Sequence, residues 1–255
     1  MKIGGIIDIS TKDIPHKSSM VIFTIGCNLE CEFCQNKYLL YDGAGKTVEI
    51  DDLIKNIRSN PLVGSVSISG GEPTLQDELI ELCKQISKEG KYVSLDTNGT
   101  RPDIVQKLIP HVNRVALDLK ASPLEPQRYQ EVSGNQVDVS QIIETYRILN
   151  NSEQVDFEIR TTHVENLTIP KDIHEIISFL IENKFRDDYV LQQYQYSEGV
   201  EEKYRNKFQK PTHGTMLDIL KNYQDADLSF NIYMRNEVVG YESLNDIIGR
   251  LENEK

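Results

Sequence analysis

The sequence predicts an α/β fold, a partial (β/α)6 barrel followed by a short C-terminal α/β extension. Three observations carry this expectation. Short apolar, β-rich runs recur along the chain with helical patterns between them. Several of the runs lack clean alternation, as strands buried on both faces of a parallel sheet do. Polar residues suited to chemistry fall at or just after the ends of these runs, the rim where (β/α) barrels build their sites.

The predicted strands are Val21–Ile25, Ser65–Ser69, Tyr92–Leu95, Arg114–Leu117, Asp156–Arg160 and Asp188–Gln192. Between them, Glu49–Ser59 carries Ile50, Leu53, Ile54 and Ile57 at helical spacing, and Gln76–Glu89 carries Leu79, Ile80, Leu82, Cys83 and Ile86. Pro102–Ile109 opens with a proline that suits a first helical turn. Val139–Leu149 and Lys171–Glu182 keep the same period. Successive strand–helix units imply right-handed crossovers and a parallel sheet. A doubly wound sheet would use the same units. The rim favours the barrel: Cys27, Gly70-Gly71-Glu72, Asp96, Asp118, Arg160 and Gln193 each close or follow a different strand. From about Glu201 the tail holds a helix at Met216–Tyr223, a strand at Leu228–Met234 and a closing helix at Tyr241–Asn253. No Pro/Gly/Ser linker divides residues 1–255, so a single domain is expected, with its core at about 4–195.

The 255 residues carry a formal net charge of −12, which argues against a non-specific nucleic-acid surface. No apolar run approaches the length of a membrane span, and the first residues meet Lys2 and Asp8 too soon for a signal peptide. Four cysteines do not form a disulfide framework here, because three are crowded together and Cys83 lies on an apolar helical face. A reducing cytoplasm is the expected compartment, and Cys83 is expected to be buried and inert.

Cys27, Cys31 and Cys34 form a C-x3-C-x2-C loop after the first strand. Three soft thiolates suit an iron–sulfur cluster with one iron left open. Structural zinc is the alternative and needs a fourth ligand. His16, eleven residues upstream of Cys27, and Cys83 are thin candidates for it. At Gly70-Gly71-Glu72-Pro73 two glycines allow main chain to approach a ligand closely. Asp96 and Asp118 would stand at adjacent strand ends and repel unless a cation or Lys120 balanced them. Arg160 needs an acidic partner, either a bound carboxylate or a protein side chain. His163 reads as a satisfied strand-end histidine. Gly43-Ala44-Gly45-Lys46-Thr47 has the look of a phosphate loop but lacks the first glycine, since position 40 is Leu40.

Taken in order, these motifs resemble the radical SAM enzymes, and within them the glycyl-radical-enzyme activases. That branch includes the activating proteins of anaerobic ribonucleoside-triphosphate reductase and of pyruvate formate-lyase. The resemblance runs over roughly residues 4–195 and implies a partial barrel of the radical SAM type. It implies one [4Fe–4S] cluster on Cys27, Cys31 and Cys34, with S-adenosylmethionine (SAM) chelating the fourth iron, and Phe33 against the adenine. It implies that Gly70, Gly71 and Glu72 meet the methionine ammonium. Asp96, Thr97, Asn98 and Arg160 would also bind the cofactor, and Asp118 and Lys120 would serve catalysis. A monovalent cation site is associated with the two aspartate motifs. The implied reaction is reductive cleavage of SAM to a 5′-deoxyadenosyl radical, which takes hydrogen from a glycine of a partner enzyme, here anaerobic ribonucleotide reductase. A flavodoxin- or ferredoxin-like protein would donate the electron. A small-molecule substrate, as in 7-deazaguanine precursor synthesis, is the second reading, and a zinc-stabilised binding module is the third. One departure stands in the N-terminal loop: the family run Thr-x-Asp-x-Pro-Gly has His16 in place of its glycine.

Overall fold

The apolar runs become strands, and the amphipathic segments between them become helices that cover those strands. The computed structural model describes residues 1–41, 43–196 and 207–253. The start of the tail near Glu201 lies outside the described residues. The chain packs as two compact units, each assembled from separated stretches. Met1–Glu30, Asn36–Leu117 and Ser140–Phe157 form the first; Cys31–Gln35, Asp118–Val139 and Glu158–Lys255 form the second.

In the first unit the strand order is β3-β1-β2-β4-β5-β6. These are β1 (Lys2–Ser10), β2 (Ser19–Thr24), β3 (Lys46–Thr47), β4 (Ser65–Gly70), β5 (Tyr92–Thr97) and β6 (Arg114–Asp118), whose last residue, Asp118, belongs to the second unit. From β2 to β6 the pairings are parallel, with Ser19 opposite Ser65, Ser65 opposite Tyr92 and Ser94 opposite Arg114. Met20, Val21 and Ile22 of β2 and Val115, Ala116 and Leu117 of β6 are buried in succession, which explains why these two runs do not alternate, while β4 and β5 bury the small serines Ser67 and Ser94 between Val66 and Ile68 and between Val93 and Leu95.

Three crossovers run through α1 (Ile50–Ser59), α2 (Leu79–Lys88) and α3 (Pro102–Leu108). Helix α1 buries Leu53, Ile54 and Ile57, and it places Asp51 and Asp52 at its first turn and Arg58 at its last, as the helix dipole favours. Proline opens α3 where no intrahelical donor is needed. Helix α5 (Val139–Asn150) buries Ile142, Thr145, Tyr146 and Leu149. Strand β1 was not expected from sequence, because Gly4-Gly5 interrupts an apolar run. It pairs antiparallel with β2, and the register slips between Ile3 and Gly5. Lys46-Thr47 closes on Lys2 and Ile3 as a two-residue strand, which settles the phosphate-loop lookalike as a surface loop.

In the second unit, β7 (Asp156–His163), β8 (Asp188–Gln193), β9 (Asn231–Asn236) and β10 (Gly240–Ser243) lie in that order. The first two residues of β7 belong to the other unit. Strands β7, β8 and β9 are parallel, and β9–β10 is an antiparallel hairpin. Its turn is held by Asn236 Oδ1, which accepts from the N–H groups of Val238 and Val239, and Gly240 takes the left-handed conformation (φ +70°) that closes it. Hairpin pairing keeps Gly240–Ser243 extended, so the closing helix α8 (Leu244–Asn253) starts later than the sequence suggests. Helices α4 (Pro126–Ser133), α6 (Pro170–Glu182) and α7 (His213–Leu220) complete the unit. Among the described residues no helix is long and apolar enough to cross a membrane.

Candidate active site

The exits of β2, β4 and β5 are joined at main-chain distance. Gly71 N–H donates to Thr24 O (3.0 Å), and Glu72 N–H donates to Gly26 O (2.7 Å). A Cβ on Gly71 would fall 2.0 Å from Gly26 O, and one on Gly70 (φ +118°) would fall 2.4 Å from Thr24 N and O. The two glycines therefore let main chain lie on main chain. With these N–H groups engaged, an ammonium, which has only donors, could use only the carbonyl oxygens of this turn.

Glu72 follows directly and is almost wholly buried. Its Oε1 accepts from Thr74 N (3.1 Å), Thr74 Oγ1 (2.5 Å) and Thr97 Oγ1 (2.8 Å), and its Oε2 accepts from Asn98 N (2.7 Å). Burial pushes this carboxyl above its ordinary range, and the four donors oppose the shift without cancelling it. Glu72 thus ties the Gly-Gly-Glu-Pro turn to Thr97, the last residue of β5, and to Asn98 just after it. Sequence spacing gives no signal for this partnership across 26 residues.

Asn98 is the centre of a second set of contacts. Its Oδ1 accepts from Thr100 N (3.1 Å) and Thr100 Oγ1 (2.7 Å), and its Nδ2 reaches Asn28 Oδ1 (2.9 Å) and Cys27 Sγ (3.9 Å). Leu29 N also donates to Cys27 Sγ, at 3.4 Å. The following turn is fixed by Gly99 (φ +79°), whose N–H meets Thr97 Oγ1 and whose carbonyl accepts from Thr145 Oγ1 of α5. Asn28 and Thr100 were missed in the sequence; adjacency to Cys27 and to Asn98-Gly99 was the only available hint. Asp96, also in this unit, has the Arg114 guanidinium 3.8 Å from its Oδ1.

In the second unit Asp118 lies between two cations. Arg160 Nε donates to Oδ1 (2.7 Å) and Lys120 Nζ donates to Oδ2 (3.2 Å). Burial works against the Asp118 charge, but Arg160 and then Lys120 outweigh it and hold the carboxyl at about 2. Burial likewise opposes the Lys120 charge, yet Asp118, Cys31 and Tyr129 together raise its affinity for the proton. Lys120 N–H also reaches the buried Tyr129 hydroxyl (3.4 Å), a residue of the unforeseen helix α4. Arg160 lies inside β7, which runs on to His163, and does not close the strand as the sequence suggests. Leu119 N–H bonds the Arg160 carbonyl at 2.9 Å, so the Asp118-Leu119-Lys120 segment and the arginine are held by main chain as well.

Cys27 belongs to the first unit, and Cys31, Phe33 and Cys34 to the second. Cys34 N–H bonds Cys31 O (3.1 Å), a tight turn, and Phe33 is buried. Among the described residues no three His, Cys, Asp or Glu side chains are already gathered around one point for a metal ion. The donors for a cluster are therefore identified by chemistry and spacing. Soft thiols suit iron–sulfur ligation, N–H donors aimed at Cys27 Sγ suit a thiolate, and Lys120 lies where Cys31 feels its charge.

Other candidates take structural roles. His163 is buried with Nδ1 at 2.7 Å from Thr168 Oγ1, and burial lowers its pKa to about 4. Cys83 is completely buried, with its thiol pushed up to about 12. Gln193 is engaged by Pro211 O and Gln195. His16 adopts the left-handed conformation (φ +59°), so the residue that departs from the family pattern keeps the backbone a glycine would take.

A family model described as the Radical SAM superfamily matches residues 21–180. A protein of Methanocaldococcus jannaschii named "Putative glycyl-radical enzyme activating enzyme" is 32% identical over 230 residues, 88% of this chain and 93% of that protein. Pyruvate formate-lyase 1-activating enzyme of Escherichia coli K12 is 34% identical over 129 residues, 47% of this chain and 50% of that one. Among solved structures, Streptococcus suis SuiB bound to S-adenosylmethionine superposes with a TM-score of 0.67 at 20% identity, over 85% of this chain and 50% of that chain. This last likeness is one of fold, and it agrees with the α/β architecture and parallel-dominated strands described above.

Proposed function

The chain belongs to the radical SAM superfamily, and we propose that it is an activase that takes a hydrogen atom from a glycine of a partner enzyme, anaerobic ribonucleoside-triphosphate reductase. It is an enzyme of the radical SAM kind, and membership implies a [4Fe–4S] cluster and SAM as cofactors. The observation that carries the activase reading is the match with the Methanocaldococcus jannaschii protein across nearly the whole of both chains. The partner is the finer part of the proposal, as are the flavodoxin- or ferredoxin-like electron donor and the cytoplasmic location that thiol ligands outside any disulfide favour.

When bound, the cluster and SAM supply the one-electron cleavage of the sulfonium and the radical that abstracts hydrogen. The chain's own residues hold and orient them. In this reading Cys27, Cys31 and Cys34 ligate the cluster and Phe33 covers the adenine. Gly70 and Gly71 present carbonyls to the ammonium, with Asp96, Thr97 and Asn98 beside it, while Glu72 braces their turns from behind. Lys120, kept charged by Asp118, and Arg160 face the cofactor carboxylate, which an arginine fork suits. The monovalent cation associated with the Asp96 and Asp118 motifs is tested by comparing potassium with a bulky organic cation in the same assay. The residues are read as one domain because the chain passes back and forth between the two units instead of crossing once through a linker.

The deciding experiment combines anaerobically reconstituted protein, a strong reductant and SAM. Production of 5′-deoxyadenosine by wild type and its loss in Cys27→Ala are expected; a Cys27→Ala protein that still cleaves SAM refutes the ligand assignment. Adding the purified reductase subunit should then give a glycyl-radical resonance. Turnover of a small molecule with no protein substrate would support the second reading. Colourless protein holding one zinc would support the third.

A further inference from the structure

We infer that the Asn98 side-chain amide is a hydrogen-bond donor to the Cys27 sulfur, and that this contact makes the bound cluster easier to reduce. The inference rests on the proposed function, in which Cys27 is a cluster ligand. The orientation of the amide follows from its neighbours. Thr100 N–H can only donate, and it lies 3.1 Å from one terminal atom of Asn98, so that atom is the oxygen. The amide nitrogen is therefore turned to the opposite side, toward Asn28 Oδ1 (2.9 Å) and Cys27 Sγ (3.9 Å).

A closed ring of side chains confirms the assignment. Thr100 Oγ1 gives its single hydrogen to Asn98 Oδ1 (2.7 Å) and so must accept from Asn28, whose Nδ2 is 2.7 Å away. This leaves Asn28 Oδ1 to accept one amide hydrogen from Asn98. The second Asn98 hydrogen is not used by the ring and is directed at sulfur. The residue cannot easily turn away. Its own N–H is held by Glu72 Oε2 at 2.7 Å, and Asn98 is buried. The next residue is tied by Thr97 Oγ1 and Thr145 Oγ1. With Leu29 N–H at 3.4 Å, Cys27 Sγ has two N–H donors from two different rim loops.

Reduction adds negative charge that is shared by the ligand sulfurs. An N–H donor stabilises the electron-rich form more than the oxidised one, so hydrogen bonds to sulfur raise the potential. Glu72, in this account, matters to the cluster indirectly: it fixes the backbone that carries Asn98.

The test is a potentiometric titration of the reconstituted full-length protein without SAM, followed by electron paramagnetic resonance. Asn98→Ala should make the one-electron reduction about tenfold less favourable, a shift of about 59 mV to lower potential. Asn98→Asp, which keeps the acceptor for Thr100 but replaces the donor by a negative oxygen, should shift further in the same direction. Variants with a full iron complement and an unchanged potential would overturn the inference while leaving the proposed function intact. If neither variant takes up iron, wild type labelled with ¹⁵N in its asparagine side chains decides: a ¹⁵N coupling to the reduced cluster in pulsed resonance is expected, and its absence overturns the contact. Wild type that assembles no cluster would sink the proposed function and this inference together.

Discussion

Glu72 and Asp118 are both carboxylates at strand exits, and burial pushes both toward the neutral form, yet they finish on opposite sides of their ordinary range. Glu72 is surrounded by neutral donors: two threonine hydroxyls and two main-chain N–H groups. Asp118 is held by two cations, Arg160 and Lys120. Four good hydrogen bonds fail to offset the loss of water around Glu72, while two nearby positive charges more than offset it around Asp118. Neutral donors fix a geometry, and cations fix a charge. The first unit uses its carboxylate to hold turns in register. The second uses its carboxylate to keep a lysine charged and to hold an arginine in place.

The sharpest way to break this contrast is to remove the cation. Arg160→Met should cost about 3 kcal/mol in urea unfolding at neutral pH, because it leaves a largely buried carboxylate with one partner fewer. The Asp118 carboxyl should also titrate nearer its ordinary range, read from its side-chain carbon resonance; unchanged stability and titration would show that Arg160 does not hold the charge.

The two carboxylates should next give opposite pH slopes in cluster-free protein. Asp118, held at about 2, contributes stability that is present above the unfolded value near 3.8 and lost as pH falls from there toward 2. The shift corresponds to about 2 kcal/mol. Glu72, raised above 4.5, contributes in the other direction: stability is full below its unfolded value and declines as pH rises through the folded one. Subtracting the unfolding curves of Asp118→Asn and Glu72→Gln from wild type should show a difference that grows with pH for the first and shrinks for the second. Slopes of the same sign would contradict the assignment of the two roles.

The smallest expected effect lies away from both carboxylates, at His16. Relief of its left-handed backbone in His16→Gly is worth about 1–2 kcal/mol, less about 0.5–1 kcal/mol for the added freedom of the unfolded glycine. Because the imidazole's own interactions are lost with it, the net change in thermal or urea unfolding is expected to stay under about 1 kcal/mol; a change of more than about 2 kcal/mol would mean that strain and side-chain contacts do not offset one another here.

Much of this contrast could be read in the chain and much could not. The six central strands were legible as short β-rich runs: residues 20–23 and 115–117 are continuous apolar stretches, and Val66, Ile68, Val93 and Leu95 are spaced only by the small buried serines Ser67 and Ser94. The rim residues were legible because each follows such a run. Strand β1 was hidden by Gly4-Gly5, which reads as a breaker. Helix α4 was hidden because Pro126–Ser133 carries only Tyr129 and Val132 as buried large side chains and is otherwise polar. Local pattern also could not say who partners whom. Glu72 reads as a ligand-facing acid, and only the folded chain shows its oxygens turned to Thr74, Thr97 and Asn98. Arg160 reads as a strand-end residue in search of a carboxylate, and the fold supplies Asp118 from another segment.

The near-collision between Gly71 and the Gly26 carbonyl has a consequence for how this rim can change over evolutionary time. Two stretches of polypeptide stitched together there, with no room for even a methyl group, cannot drift independently. A shift in the turn that precedes Cys27 must drag the neighbouring turn with it, and Glu72 extends the same linkage to Thr97 and Asn98. Diversity in this protein's lineage should therefore accumulate at glycines such as Gly5 and Gly64, where a side chain would meet open space, while the stitched pair stays invariant.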